Sequence, residues 1–162
     1  MNRPSKENYY LDVAETILKR STCLRRNFGA VIVKNDQIVS CGYTGAPRGR
    51  LNCSEIGECV RKKLDIPRGE RYELCRSVHA EANAIIHASR ENMLDSTLYL
   101  VGIEFDSGDY VLNASPCAMC KRLIINSGIK EVVSRLTKEN YKVFDVQSWV
   151  KFDDFSNKFL GY

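Results

Sequence analysis

The side chains of this chain best suited to chemistry are His79 and Glu81, one alanine apart, and Cys117 and Cys120, two residues apart. One imidazole and two thiolates make three zinc ligands. A tetrahedral zinc held by three side chains keeps its fourth position for water. Water held there loses its proton near neutrality, its pKa falling from 15.7 to roughly 7. A glutamate two residues from the histidine can take that proton without binding the metal, and can hand it on to a departing group. Neither half of the pattern says much alone. Cys-x-x-Cys is equally a redox pair or half a structural zinc site, and His-x-Glu is commonplace. Together they predict a catalytic zinc site, with His79, Cys117 and Cys120 as ligands and Glu81 as the catalytic proton carrier.

Such a site needs two helix starts facing each other. His79 to Arg90 is rich in alanine, with Ile85 and Ile86, and reads as a buried helix opened by His79. Ser115-Pro116 reads as the start of a second helix, with serine at the cap and proline at the first helical position, and Gly128 closes it. Cysteines three apart on a helix face one side, and the positive N-terminal end of the helix favours their thiolates. Around these helices, Ser5 to about Arg20 places Tyr10, Ala14, Ile17 and Leu18 on one helical face. Residues 29–34 and 37–42 flank Asn35-Asp36 as a tight hairpin of apolar strands. Ser96 to Ile103 reads as a strand, and Asp106-Ser107-Gly108-Asp109 as the turn of a second hairpin returning through Tyr110-Val111-Leu112. Ile129 to Leu136 and Val143 to Val146 complete the strands. The order predicts an α/β fold, a mixed sheet with helices on both faces.

A length of 162 residues, with 44% apolar and 27% charged residues, suits one domain over 1–162. Within it lie a polar, cysteine-containing insertion around 50–76 and a C-terminal tail from about 147. The tail carries Trp149, Phe152, Phe155, Phe159 and Tyr162 without an evident place in the sheet. Residues 1–6 have no apolar signal region and no run approaches a membrane span, so no membrane partner and a cytoplasmic location are expected. Seven cysteines in that compartment read as metal ligands or reduced thiols rather than disulfides. Cys41 alternates into an apolar strand and reads as a core thiol. The net charge of +4 is too mild to demand nucleic acid and is compatible with a small anionic substrate.

His79-Ala80-Glu81 followed by Pro116-Cys117-Ala118-Met119-Cys120 matches the H-x-E…P-C-x-x-C pattern of zinc deaminases. With Gly29-Ala30-Val31-Ile32, Gly42-Tyr43-Thr44-Gly45-Ala46-Pro47, His79 to Ile85 and Ile125-Asn126-Ser127-Gly128-Ile129, the chain resembles the cytidine and deoxycytidylate deaminase superfamily over about Ser21 to Val146. Within that superfamily it is most similar to the deoxycytidylate (dCMP) deaminases, including a bacterial branch encoded with late-competence genes. The resemblance implies a three-layer α-β-α cytidine-deaminase-like fold with a mixed sheet of about five strands. It implies Zn2+ on His79, Cys117 and Cys120, with Glu81 shuttling protons as dCMP becomes dUMP and ammonia, a supply of dUMP for thymidylate synthesis. The Ala80 amide would hold the pyrimidine and Thr44 would face the sugar, although the family usually has asparagine at this position. The resemblance also implies dCTP or dTTP as effectors and a homo-oligomer, hexameric or smaller.

In a family member with an additional zinc, ligands come from the positions of Cys23 and Cys53. Cys59 and Cys75 bracket the insertion, so the four cysteines are expected to hold a second, structural zinc that orders it. The alternative is four unrelated thiols. For the phosphate, Arg26 and Arg48 adjoin segments that border the family's pocket and are preferred over Arg25, Arg50 and Arg76. Arg61-Lys62-Lys63 reads as a solvated face. The runner-up substrates are a nucleoside, tRNA or single-stranded DNA. Polymer binding wants a basic groove with stacking aromatics, whereas 24 basic residues here meet 20 acidic ones. A third alternative, a nucleotide-sensing or assembly protein without catalysis, is disfavoured by the presence of Glu81.

Overall fold

The computed structural model describes residues 3–152; Phe155, Phe159 and Tyr162 of the aromatic tail lie outside them. Ser5 caps the first helix, α1 (Lys6–Leu18), its hydroxyl accepting from the Asn8 amide at 3.2 Å. Strands β1 (Arg26–Lys34) and β2 (Gln37–Tyr43) form the expected hairpin, with Asn35 and Asp36 both left-handed at φ 51° and 59°. Positive φ at both central residues suits the right-handed twist of the flanking strands. After the insertion come α4 (Ala80–His87), a short α5 (Arg90–Met93) capped by Ser89, and β3 (Thr97–Glu104). Helix α6 (Ala118–Ser127), β4 (Glu131–Arg135), β5 (Tyr141–Asp145) and α7 (Val146–Lys151) complete the described chain. The strands make one mixed sheet in the order β2-β1-β3-β4-β5, with β3 and β4 parallel and the other neighbours antiparallel.

Period-two alternation sorts the sheet residues to its two faces. Ala30, Ile32, Leu98, Leu100 and Val132 pack with Ala80 and Ala84 of α4 and Ile124 of α6. Val31, Val33, Tyr99, Val101 and Val133 pack with Tyr10, Leu11, Ala14 and Leu18 of α1. Full burial of such aliphatic side chains contributes about 1.5–3 kcal/mol each. Cys41 packs, partly buried, against the α1 side. In the tail, Trp149 of α7 lies 6.2 Å from the Phe144 ring and packs on the α4 side. No helix among the described residues is long and apolar enough to cross a membrane.

Three expectations need correction. The second hairpin returns as a single bridge, Ile103 to Tyr110, not as a strand, because the chain turns at Asn113 (φ 51°) soon after Val111 bonds to Gly102. The helix expected to run to Arg90 ends at His87, where Ala88 goes extended and Ser89 starts a new turn. The helix expected at Ser115-Pro116 starts at Ala118, capped by Cys117. Within the polar insertion lie the short helices α2 (Cys53–Ile56) and α3 (Val60–Lys63) and a 3-10 turn, Tyr72–Leu74.

Candidate active site

Helices α4 and α6 begin with residues seldom used as caps. His79 precedes α4 at φ −70°, ψ 154°, and Cys117 precedes α6 at φ −71°, ψ 168°, and neither side chain caps its own helix. That backbone is the ordinary one for an N-cap residue, but here the side chains meet each other instead of their own helices. Cys117 Sγ lies 3.4 Å and Cys120 Sγ 3.5 Å from His79 Nδ1. Bond lengths of about 2.3 Å to sulfur and about 2.0 Å to nitrogen, at a tetrahedral angle, require an S···N edge of about 3.5 Å. The donor set therefore fits one tetrahedral zinc through Nδ1 and two sulfurs. It is the one cluster of three such ligand atoms, all within 4.8 Å of one another, among the described residues.

The charges agree with that fit. Hydrogen bonding from Cys120, joined by His79, brings the Cys117 thiol down to about 4. Burial opposes a charge on His79, but the sulfurs of Cys117 and Cys75 outweigh it and raise its pKa to about 10. A Cys117 thiolate thus stands beside a protonated His79. The Cys120 thiol is pushed up by its bond to Cys117 and by burial. Glu81, 5% exposed, faces the same centre from the first turn of α4. Burial pushes its carboxyl up, which makes it a proton holder.

A cavity of ≈ 280 Å³ opens onto His79, Glu81 and Cys117. Its far wall comes from the insertion. Tyr72 stands edge-on to the His79 ring at 4.7 Å, and the Arg61 guanidinium lies 4.4 Å over the Tyr72 ring. Arg61 is 6% exposed and donates to the carbonyls of Pro67 and Glu70, both at 2.7 Å. It is not part of a solvated face, although Lys62 and Lys63 are exposed. Its burial carried no local signal, since the stacking partner is eleven residues away in an aperiodic stretch. Asn83, given no role by the sequence reading, ties α4 to the Gly-rich loop by donating to the Tyr43 carbonyl at 2.8 Å.

The remaining expected contacts divide. Ala80 is buried at the first position of α4, where an amide has no intrahelical acceptor. Thr44, 6% exposed, lines the cavity. Arg26 also lines it, but its Nε donates to Glu104 at 2.8 Å. Arg48 does not line it. It lies in the Gly-rich loop after β2, with Nη2 3.0 Å from His87 Nε2. Cys23, Cys53, Cys59 and Cys75 all line the cavity wall, yet no three of their sulfurs come within 4.8 Å of one another.

The comparisons with known proteins agree with this geometry. A family model described as the cytidine and deoxycytidylate deaminase zinc-binding region matches residues 4–136. A deoxycytidylate deaminase of Mycobacterium phage D29 is 36% identical over 138 residues, 82% of this chain and 96% of that protein. One from Schizosaccharomyces pombe is 34% identical over 131 residues, 81% of this chain but only 37% of the relative's length. The crystal structure of dCMP deaminase from the cyanophage S-TIM5 in complex with dCMP and dUMP superposes with a TM-score of 0.55. Its sequence identity is 25%, and the match covers 85% of each chain. By family model and by relatives, and with a candidate set of metal ligands in keeping with both, the chain belongs to the cytidine and deoxycytidylate deaminase family.

Proposed function

We propose that this chain hydrolyses dCMP to dUMP and ammonia, supplying dUMP for thymidylate synthesis. The observation that carries the reading is one cavity onto which His79, Cys117, a buried glutamate and several arginines open, with Cys120 behind them completing three ligand atoms within 4.8 Å of one another. His79, Cys117 and Cys120 would hold zinc, which when bound supplies a water whose pKa has fallen to roughly 7. Glu81 accepts a proton from the water that adds to C4 of the cytosine ring and passes it to N3. Glu81 then takes the proton of the new C4 hydroxyl and gives it to the exocyclic nitrogen. The C4–N bond breaks, ammonia leaves, and a C4 carbonyl remains. The Ala80 amide holds the pyrimidine and Thr44 faces the sugar. The assay is ammonia release from dCMP, CMP, deoxycytidine and a cytosine-bearing oligonucleotide by the zinc-loaded protein. dCMP should be turned over fastest; a faster oligonucleotide or deoxycytidine reaction overturns the reading.

Three finer points belong to the same reading. A second zinc on Cys23, Cys53, Cys59 and Cys75 is supported by their common wall and by Cys53, whose thiol is pushed up by burial and by the other three sulfurs nearby. Closing that site requires Cys75 to turn from His79. Elemental analysis should give two zincs per chain, one of them lost in Cys53→Ser; a single zinc indifferent to that change leaves four plain thiols. Effector binding of dCTP or dTTP at the Gly42–Pro47 loop rests on the resemblance of that loop, and titration of both nucleotides tests it. Self-association as a hexamer or smaller rests on the family likewise, and mass measurement in solution tests it.

A further inference from the structure

We propose that Tyr72, held in place by Arg61, is a positioning residue for the imidazole of His79, an inference that rests on the reading of His79, Cys117 and Cys120 as zinc ligands. The His79 side chain makes no capping bond to α4, so its own helix does not fix the plane of its ring. That plane matters. The lone pair of Nδ1 lies in it, and a metal shared with the two sulfurs, 3.4 and 3.5 Å away, is held well only when the plane contains the metal. A ligating histidine is ordinarily oriented by a further group on its other side. Cys75 reaches the ring by a hydrogen bond, but that sulfur is the one a second zinc would draw away. Tyr72 supplies the other restraint. Its ring stands at 88° to the imidazole with 4.7 Å between centres, the edge-on arrangement aromatic pairs prefer. A swing of the imidazole about its Cβ–Cγ bond must either run into the tyrosine or part from it.

A restraint works only if it is itself held. Tyr72 opens a single 3-10 turn and is half-buried, a poor anchor alone. Arg61 makes it firm. The guanidinium covers the Tyr72 ring at 4.4 Å, while Nη2 donates to the carbonyls of Pro67 and Glu70. One side chain thus ties α3, the loop that enters the turn and the aromatic ring together. Its Nε is buried without a hydrogen-bond partner. A buried guanidinium with an unpaired N–H is a costly filler for a loop; what it supplies is a rigid, planar, cationic platform for a ring. The contacts run in one line, from the insertion through Arg61 and Tyr72 to His79.

The test compares Tyr72→Phe, Tyr72→Leu and Arg61→Lys with the unmodified protein. One readout is affinity for zinc at the site emptied by Cys117→Ser, measured by competition with a chromophoric chelator. The other is the visible absorption of the cobalt-substituted protein, which reports ligand geometry without turnover. Tyr72→Leu should weaken zinc by about tenfold to a hundredfold, the range for losing a group that orients a ligating histidine, and should shift the cobalt bands. Tyr72→Phe keeps the ring and should stay within about threefold. Arg61→Lys keeps the charge but not the planar fork and should fall between the two. With zinc saturating, kcat for dCMP should drop about tenfold or more in Tyr72→Leu while KM changes by less than about threefold. A raised KM with zinc affinity and cobalt bands unchanged makes Tyr72 a wall of the cavity only, and overturns the proposal. So do equal losses in Tyr72→Phe and Tyr72→Leu, which would belong to the hydroxyl and not to the ring. Arg61→Lys indistinguishable from the unmodified protein overturns the part given to Arg61. If Tyr72→Leu does not fold, Tyr72→Met, which fills the space without a plane, decides by the same two readouts. Should Cys117→Ser bind as much zinc as the unmodified protein, the zinc reading itself fails, and the proposal with it. Zinc lost in Cys117→Ser but held undiminished in Tyr72→Leu overturns the positioning role alone.

Discussion

The two faces of the sheet are packed alike and used differently. On one face α1 lies over Val31, Val33 and Tyr99, and its polar ties are a network around the fully buried Arg135. Arg135 Nη1 lies 2.8 Å from Asp12 and 2.5 Å from Glu15, and the Tyr110 hydroxyl donates to Glu15 at 2.9 Å. Its charges are paired, although Arg135 Nε itself has no hydrogen-bond partner. On the other face α4 and α6 lie over Ala30, Ile32 and Leu100 with equal closeness, but their N-termini are left uncapped. Glu81 is buried, Arg25 has an orphaned donor, and two thiols face an imidazole. Orphaned donors occur in both regions, since Arg135 Nε also has no partner; what marks the reactive face is that its ionisable side chains converge on one centre and one cavity.

The largest effect should come from Glu81→Gln on the reactive face. Glutamine keeps the size and the hydrogen bonding but carries no titratable proton. Turnover of dCMP should fall by several orders of magnitude with zinc content and melting temperature nearly unchanged, read by ammonia release and elemental analysis. Near-normal turnover in this variant would sink the proton-carrier role.

A matched pair of glycines tests the comparison next. On β2, a Cβ at Gly42 would stand 2.4 Å from both the Ala80 carbonyl and the Ala84 amide, the backbone of α4. On β1, a Cβ at Gly29 would stand 2.1 Å from the Ala14 carbonyl and 2.7 Å from the Leu18 amide, the backbone of α1. Both helices must move, and both substitutions should destabilise by about 1–3 kcal/mol or more, as overpacking does. Only Gly42→Ala displaces the helix that carries His79 and Glu81. An error of about 1 Å in such a group costs on the order of a hundredfold in rate. Measured below both melting temperatures and per bound zinc, Gly42→Ala should lose at least tenfold in kcat, and Gly29→Ala less than twofold. Equal losses in the two variants would mean that the faces are not functionally separate.

The reactive face was legible wherever its residues lie close together in the chain. His79 and Glu81, and Cys117 and Cys120, are pairs within single turns, so their spacing alone shows which side chains meet. The alternation of Ala30 and Ile32 against Val31 and Val33 likewise announced a strand buried on both sides. Legibility failed at the helix start beside Cys117. Serine followed by proline is a sound cap pattern, yet the cap position falls on Cys117, two residues after Ser115, whose sulfur faces His79. It failed again across the insertion. Nothing local in Arg61-Lys62-Lys63 separates the arginine that stacks on Tyr72 from the two lysines in solvent. Nor does adjacency separate Arg25 from Arg26: which of them is neutralised depends on Glu104, brought alongside by the pairing of β1 with β3. The surroundings of the two arginines preferred for a phosphate are set by long-range packing, and one of them, Arg48, lies off the cavity.

The smallest effect, and the one that sharpens the comparison from the quiet side, concerns pH and Asp12. Burial works to raise its pKa, but Lys138 and Arg135 outweigh burial and hold the carboxyl below the usual carboxylate range. A carboxylate so lowered stabilises the fold fully above its unfolded pKa of about 3.9, and the contribution disappears as pH falls through the lower folded value. Asp12 keeps 46% of its side chain in solvent, so screening holds the effect to about 0.5–1 kcal/mol. Asp12→Asn should therefore melt a few degrees lower than the unmodified protein at neutral pH. As pH falls from about 4 through the lower folded value the two melting curves should converge, because the unmodified carboxyl then becomes protonated in the folded state as well. Throughout, kcat for dCMP at neutral pH should be unchanged, since Asp12 ties α1 to β4 on the face remote from Glu81. A melting difference that stays constant from pH 7 to pH 2 would assign the effect to shape rather than charge. A fall in kcat would show that strain on the α1 face reaches the metal ligands through the sheet.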